Sequence, residues 1–211
     1  RRFVNSLPND PSDPARNPYR MMNIPGAGTG GHCLPKDPWL LKYGLDAYGV
    51  FKFTPKILVE SRRINDFMPQ HMKDLVEEAL HEKGVKLQDA RVCILGLAYL
   101  GDSDDTRNTP TLPLYNLLKG VCKEVVVHDP FVKDFKGVVF KDDLENALRN
   151  KDCMVIMTRH KEYIDIRLDW LKRVLATFVI VDGRNVLNPK DCEEAGFSYR
   201  GVGVGTCPSA R

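Results

Sequence analysis

Ala90-Arg91-Val92-Cys93-Ile94-Leu95-Gly96-Leu97-Ala98-Tyr99-Leu100-Gly101 decides how the rest of the chain is read. Arg91–Leu95 is a short, almost wholly apolar run that breaks off at Gly96. It lacks the period-two alternation of a half-exposed strand, so it reads as a strand covered on both faces. The same texture returns three times. Glu124–Val127 ends at His128-Asp129-Pro130, Cys153–Met157 at Thr158-Arg159, and Phe178–Val181 at Asp182-Gly183-Arg184-Asn185. Helical patterns lie between them at Pro110–Lys119, Leu144–Arg149 and Trp170–Leu175. Short buried strands separated by helices predict an α/β fold, a doubly wound parallel sheet with helices on both faces. Ligands of such sheets sit beyond the carboxyl ends of the strands. The loops after Leu95, Val127, Met157 and Val181 therefore form the expected binding edge.

The loop that follows the first strand limits what it can bind. Gly96-Leu97-Ala98-Tyr99-Leu100-Gly101 has two glycines, one short of the dinucleotide fingerprint, and no Gly-Lys-Ser/Thr follows as in a Walker loop. Asp129 lies 33 residues after Gly96, beyond the ~20 usual for an acid that binds ribose. This half is Rossmann-like in topology, and the principal nicotinamide site is expected elsewhere. The tail Gly201-Val202-Gly203-Val204-Gly205 is spaced like part of a fingerprint, but no helix follows it. A flexible terminus is the expectation there.

Upstream, Gly26-Ala27-Gly28-Thr29-Gly30-Gly31-His32-Cys33-Leu34-Pro35-Lys36-Asp37-Pro38 places a cysteine at the end of a glycine run, with Lys36 and Asp37 close behind. Glycines let backbone approach a bulky charged ligand and can leave amides facing phosphate oxygens. A thiol beside such a surface, with a cation and a carboxylate within a turn, fits a covalent catalyst. A short helix is predicted from Asp37 to about Tyr48. Thr54-Pro55 then reads as N-cap and first-turn proline of a long helix closed by Gly84. Its stripe of Ile57, Ile64, Met68, Met72, Leu75, Val76, Ala79 and Leu80 has helical spacing. Pro69 is expected to kink or split it. With no partner helix in view, the stripe predicts packing against an absent domain or a second subunit.

Composition sets the outer bounds. The chain has 211 residues, 43% apolar and 28% charged, which is that of a soluble globular protein. A net charge of +3, with 31 basic residues interspersed among 28 acidic ones, gives no argument for nucleic acid. No apolar run reaches the ~18 residues of a membrane span. Six cysteines without a CxxC pair do not form a disulfide framework. Cys93, Cys122 and Cys153 read as buried reduced thiols, and a cytoplasmic compartment is expected. Residue 1 is arginine, and four prolines fall within the first 22 residues. That reads as a loop entered midway, so a piece of a longer polypeptide is expected.

Two arginines fall on the binding edge. Arg107 follows Asp104-Asp105-Thr106 and is either a solvated salt bridge or a guanidinium aimed at a pyrophosphate across the switch-point crevice. Arg184 follows the fourth strand with the same two readings. His32-Cys33 has no second cluster at ligand spacing, so no metal is expected. His71, His81, His128 and His160 read as residues of helices or strand ends without partners, His160 as structural.

From Asn17 to Asn188 the chain resembles the UDP-glucose/GDP-mannose dehydrogenase family, NAD-dependent enzymes that oxidise a nucleotide sugar twice, from alcohol to acid. Gly30-Gly31-His32-Cys33-Leu34-Pro35-Lys36-Asp37 looks like its catalytic loop. Gly96-Leu97-Ala98-Tyr99 with Asp104-Asp105-Thr106-Arg107 looks like the entrance to its C-terminal domain, and His128-Asp129-Pro130 and Asp182-Gly183-Arg184-Asn185 look like its later strand ends. The resemblance implies that residues 1–86 are part of a central helical region and 87–211 a C-terminal UDP-binding domain. The N-terminal NAD domain would be absent and the piece alone inactive. It further implies that Cys33 is the nucleophile of a thiohemiacetal and thioester, and that Asp37 helps activate the hydrolytic water. Lys36 and Arg107 would lie near NAD. Arg20, Gly28, Gly30, Gly31, Tyr99, Leu100 and Arg184 would lie near the UDP-sugar, Arg20 by reaching a neighbouring subunit. A homodimer or higher oligomer through the central helix, in polysaccharide biosynthesis, goes with it.

Two departures stand out. Leu100 replaces a lysine common in the family, and the family's oxyanion-stabilising lysine and asparagine would lie upstream of residue 1. Gly-His-Cys followed by Asp37-Pro38-Trp39 looks like the branch acting on UDP-N-acetylhexosamines such as UDP-N-acetylmannosamine. UDP-glucose and GDP-mannose 6-dehydrogenases are the alternatives, and a non-catalytic nucleotide-sugar-binding or dimerisation module is the alternative for the piece itself.

Overall fold

The computed structural model describes residues 25–49 and 54–204. Five parallel strands form one sheet: β1 (Arg91–Leu95), β2 (Glu124–His128), β3 (Cys153–Ile156), β4 (Val179–Asp182) and β5 (Ser198–Gly201). Their order is β2-β1-β3-β4-β5. Ile94 of β1 pairs with Val127 on one side and Val155 on the other. The order of strands reverses at β1, and the carboxyl ends share one edge, as the sequence predicts.

Among the described residues, seven α-helices surround or precede the sheet: α1 (Cys33–Tyr48), α2 (Lys56–Glu82), α3 (Thr111–Lys119), α4 (Leu144–Leu148), α5 (Lys161–Ile164), α6 (Leu168–Val174) and α7 (Pro189–Glu194). Alternate strand residues feed two cores. Val92, Ile94, Val127, Val155 and Val181 pack under Met72, Val76 and Leu80 of α2 and Leu114, Tyr115 and Leu118 of α3. Cys93, Leu95, Met154, Ile156 and Ile180 pack on the opposite face against Leu148, Tyr163, Leu171 and Cys192. Both faces are covered, which is why these strands read as unbroken apolar runs.

The long helix departs from expectation in two ways. Its stripe does have a partner, because the carboxyl half of α2 lies against α3, β4 and β5. Only the amino half is left open, with Ile57 85% and Ile64 62% exposed. Pro69 does not split it, since Lys56–Glu82 is one continuous helix. Gly84, at φ +74°, follows its end as predicted.

The helix that carries Cys33 starts earlier than the sequence indicates, at Cys33 rather than Asp37. Pro35 falls in its first turn, where the missing N–H costs nothing. Pro38 cannot donate to the Leu34 carbonyl four residues back, and Arg62 Nη1 of α2 reaches that oxygen at 3.5 Å instead. α1 buries none of its side chains.

Part of the tail expected to be a flexible terminus is regular structure, and Gly205 lies outside the described residues. Ser198–Gly201 forms β5 beside β4, and Val204 makes an antiparallel bridge back to Gly201. Among the described residues, Cys93, Cys153 and Cys192 are buried, Cys122 is half-buried and Cys33 is exposed; Cys207 lies outside them. Burial pushes the Cys122 and Cys192 thiols up to about 11 and about 12.

Candidate active site

Cys33 opens onto a cleft of about 530 Å³ between the glycine loop and the strand-end loops of the sheet. Gly28, Thr29, Gly30 and Gly31 form one wall, His32, Cys33 and Leu34 the floor leading into α1, and Tyr99, Leu100, Arg107 and Arg184 the opposite side. The sulfur is therefore neither packed into a core nor remote from the ligand edge. As the first residue of a 16-residue helix, it sits where backbone N–H groups lack intrahelical partners and favour negative charge.

The loop's glycines serve the protein's own packing more than a ligand. A Cβ on Gly30 would lie 2.5 Å from Tyr99 Cβ and 2.8 Å from the Asn108 carbonyl oxygen, and Gly31 has φ +90°. Four of the amides are spent internally: Ala27 N on the Gly183 carbonyl, Gly28 N on that of Gly26, Thr29 N on Asn65 Oδ1 and Gly31 N on the Arg107 carbonyl. The expected row of amides free for phosphate oxygens is thus mostly taken.

Both arginines reach the cleft. The Arg107 guanidinium grips the Asp105 carboxylate through Nε at 2.9 Å and Nη2 at 2.6 Å. It is a salt bridge and a cleft-lining cation at once, with its side chain 62% exposed. Arg107 holds Asp105 down to about 2 and is itself pushed up by the carboxylate. Arg184 donates from Nε to the Met157 carbonyl at 2.6 Å, and burial lowers its pKa. Leu100 is 54% exposed on the rim. Lys36 and Asp37 lie in the first turns of α1 and pair with each other, which raises the Lys36 pKa. Neither lines the cleft, although Asp37 is four residues from Cys33 and so shares its helix face. Arg20 lies outside the described residues.

The switch-point crevice between β1 and β3 is closed by the protein itself. The Thr158 hydroxyl donates to the Ala98 carbonyl. A Cβ on Gly96 would strike Thr158 at 2.3 Å. His160 accepts the Asp102 N–H on Nδ1 at 2.9 Å, which places its proton on Nε2, 3.2 Å from Asp129 Oδ2. The crevice is thus filled by the chain's own side chains, while Arg107 and Arg184 line the cleft beside Cys33.

Two of the four histidines expected to be without partners, His128 and His160, have them. His160 binds Asp129, and His128 Nδ1 lies 2.9 Å from the Tyr163 hydroxyl. Asp129 gathers the N–H groups of Leu97, Ala98, Phe131 and Val132 at 2.7–3.0 Å. Burial opposes its charge, but His160 and these amides outweigh that and hold it at about 2. The Leu97 and Ala98 amides, where a dinucleotide's pyrophosphate would dock, are thus consumed. This turn does not fit NAD. Asn108 donates from Nδ2 to the Gly31 carbonyl, 77 residues away, and nothing in the sequence around it announces that contact.

Among the described residues no group of three or more His, Cys, Asp or Glu side chains could hold a metal, and no helix is long and apolar enough to cross a membrane.

Residues 93–189 match the UDP binding domain of the UDP-glucose/GDP-mannose dehydrogenase family. The UDP-N-acetyl-D-mannosamine dehydrogenase of Pyrococcus horikoshii is 35% identical over 190 residues, covering 90% of this chain and 42% of its own length. The crystal structure of an NDP-N-acetyl-D-galactosaminuronic acid dehydrogenase from Methanosarcina mazei Go1 superposes with a TM-score of 0.84 at 39% identity, over 96% of this chain and 42% of that one. A structure of the UDP-D-ManNAc dehydrogenase from P. horikoshii gives 0.78 at 34% identity, over 96% and 43%. The chain spans less than half the length of each.

Proposed function

This chain belongs to the UDP-glucose/GDP-mannose dehydrogenase family, whose UDP binding domain occupies residues 93–189, and on that footing we propose that it is part of an NAD-dependent UDP-sugar 6-dehydrogenase. The substrate class is a UDP-N-acetylhexosamine, oxidised at C6 to the uronic acid. The observation that supports this most is an exposed cysteine at a helix start sharing one cleft with two arginines. Arg184 and Arg107 supply the positive charge a nucleotide diphosphate requires. Both P. horikoshii and M. mazei relatives carry N-acetylhexosamine names, which favours that sugar over glucose or mannose.

In this reading the Cys33 thiolate adds to the aldehyde carbon left by the first oxidation, forming a C–S bond as the C=O π pair moves to oxygen, and the resulting thiohemiacetal stays tethered to the protein. Loss of hydride from that adduct leaves a thioester, and NAD is the acceptor when bound. Water then attacks the acyl carbon, the C–S bond breaks, and the thiolate departs as the acid forms. Asp37, on the same helix face as Cys33, is the carboxylate assigned to that water, although it stands outside the cleft, paired with Lys36. In the turn after β1 the Leu97 and Ala98 amides are taken by Asp129, so a further domain of the complete polypeptide would hold NAD, with Arg107 near it. For this chain alone, that same observation favours a nucleotide-sugar-binding module without turnover.

Residues 1–86 then form part of a central region and 87–211 the UDP domain, and the open face of α1 and α2 is the surface of a homodimer or higher oligomer. The test is NADH formation by the complete polypeptide across a panel of nucleotide sugars. Two NADH per UDP-N-acetylhexosamine is the expected result. No NADH with any nucleotide sugar overturns the enzyme, and UDP binding by titration without NADH supports the module.

A further inference from the structure

The glycine loop is the least self-supporting segment near the thiol. Glycine backbone loses more freedom on ordering than any other residue, and Gly28 and Gly31 hold φ values of +107° and +90°. Something outside the loop has to fix it just before Cys33. The only described contacts that reach Gly31 through hydrogen bonds come from two consecutive residues of the sheet domain. The Arg107 carbonyl accepts the Gly31 N–H at 2.8 Å, and Asn108 Nδ2 donates to the Gly31 carbonyl at 2.9 Å. Both polar groups of one peptide residue are thus taken by neighbouring residues, at a point two positions before the sulfur.

Asn108 is built for this. Its backbone is left-handed, at φ +50°, a region asparagine tolerates better than most residues. Its own carbonyl oxygen stands 2.8 Å from where a Gly30 Cβ would be, so its main chain and side chain both press on the loop. Asn108 does not line the cleft, and it is exposed on its outer side. A merely space-filling residue would need neither the donor nor this backbone.

We propose that Asn108 is a positioning residue for Cys33: its side-chain amide clamps the Gly31 carbonyl and so fixes where the helix carrying the thiol begins. Because Arg107 completes the clamp through its backbone while its guanidinium lines the cleft, a shift of this dipeptide moves charge and sulfur together. The inference rests on the reading of Cys33 as the nucleophile for its catalytic consequence, but not for the clamp itself.

The experiment compares Asn108→Gly and Asn108→Asp with the parent in the complete polypeptide. Glycine keeps the left-handed backbone and loses the donor. Aspartate keeps the shape and turns an acceptor toward the Gly31 carbonyl. Hydrogen–deuterium exchange over residues 28–34 should speed up about fivefold in both, in line with losing one hydrogen bond, with residues 91–95 unchanged as the folding control. Turnover to acid should fall about five- to tenfold while KM for the nucleotide sugar stays within about twofold, a split that general destabilisation would not produce. Unchanged exchange over residues 28–34 overturns the clamp. Faster exchange with unchanged turnover overturns the positioning role. A Cys33→Ser protein that still forms acid refutes the nucleophile instead and leaves the exchange result standing, so the two failures are told apart.

Discussion

A thiol at the first position of α1 sits against the positive end of a helix and faces two guanidiniums across a cleft. Its task in the proposed reaction is to leave as well as to attack. Replacing sulfur by oxygen keeps the size and removes the leaving group, because an alkoxide departs far less readily than a thiolate. Cys33→Ser in the complete polypeptide should lower acid formation by roughly 10³ or more, while UDP affinity by calorimetry stays within about threefold. Arg107 differs in kind. Its Nε and Nη2 are committed to Asp105, leaving the rest of the guanidinium for an anion. Arg107→Ala should raise KM for NAD about tenfold, the scale of one charge-assisted contact, and weaken UDP binding less. Equal losses in the two would contradict the assignment.

The turn between β1 and α3 shows how an element can keep a shape and change its use. In a dinucleotide domain its amides face a pyrophosphate. Here the carboxylate of Asp129 occupies that role from inside the chain. A carboxyl held at about 2 in the fold, against its ordinary 3.8, contributes stability above its unfolded pKa and loses it as pH falls through the folded one. The window is therefore roughly pH 4 down to pH 2, with about 2 kcal/mol at stake. Asp129→Asn should lower the melting temperature at neutral pH and make the acid decline between those values shallower than the parent's. Asp152 and Glu82, also lowered, decline in both proteins, so the difference between the two curves isolates Asp129. A parallel pair of curves would refute it.

At the scale of the molecule, the sheet was readable because its strands are doubly buried and built from Val, Ile and Leu, and punctuated by Gly, Asp and Pro. What escaped reading were elements without that signature. β5 is Ser-Tyr-Arg-Gly and becomes a strand only by its register on β4. α5 and α7 are four and six residues long, too short to show a period. The site was legible as parts: Cys33, Tyr99, Leu100, Arg107 and Arg184 do share a cleft. Their mutual fixing was not, because Asn108, Asn65 and Gly183 act on the glycine loop across long stretches of chain. The open side of the molecule carries the remaining prediction. Leu40, Leu41, Tyr43, Ile57, Ile64 and Phe67 are all exposed on α1 and α2, and exposed apolar side chains gathered on one pair of helices suit a contact surface. Ile64→Glu with Phe67→Glu should shift sedimentation toward the monomer and leave the sheet's melting unchanged. An unaltered sedimentation coefficient would overturn the proposal that this face joins copies of the chain.

The helix that begins with Cys33 has no interior of its own, since every side chain from 33 to 48 remains at least partly in solvent. An assembly partner that covers it would supply the missing ballast. Catalysis would then be a property of protein concentration: on serial dilution, specific activity should fade reversibly, well before circular dichroism registers any loss of helix or sheet.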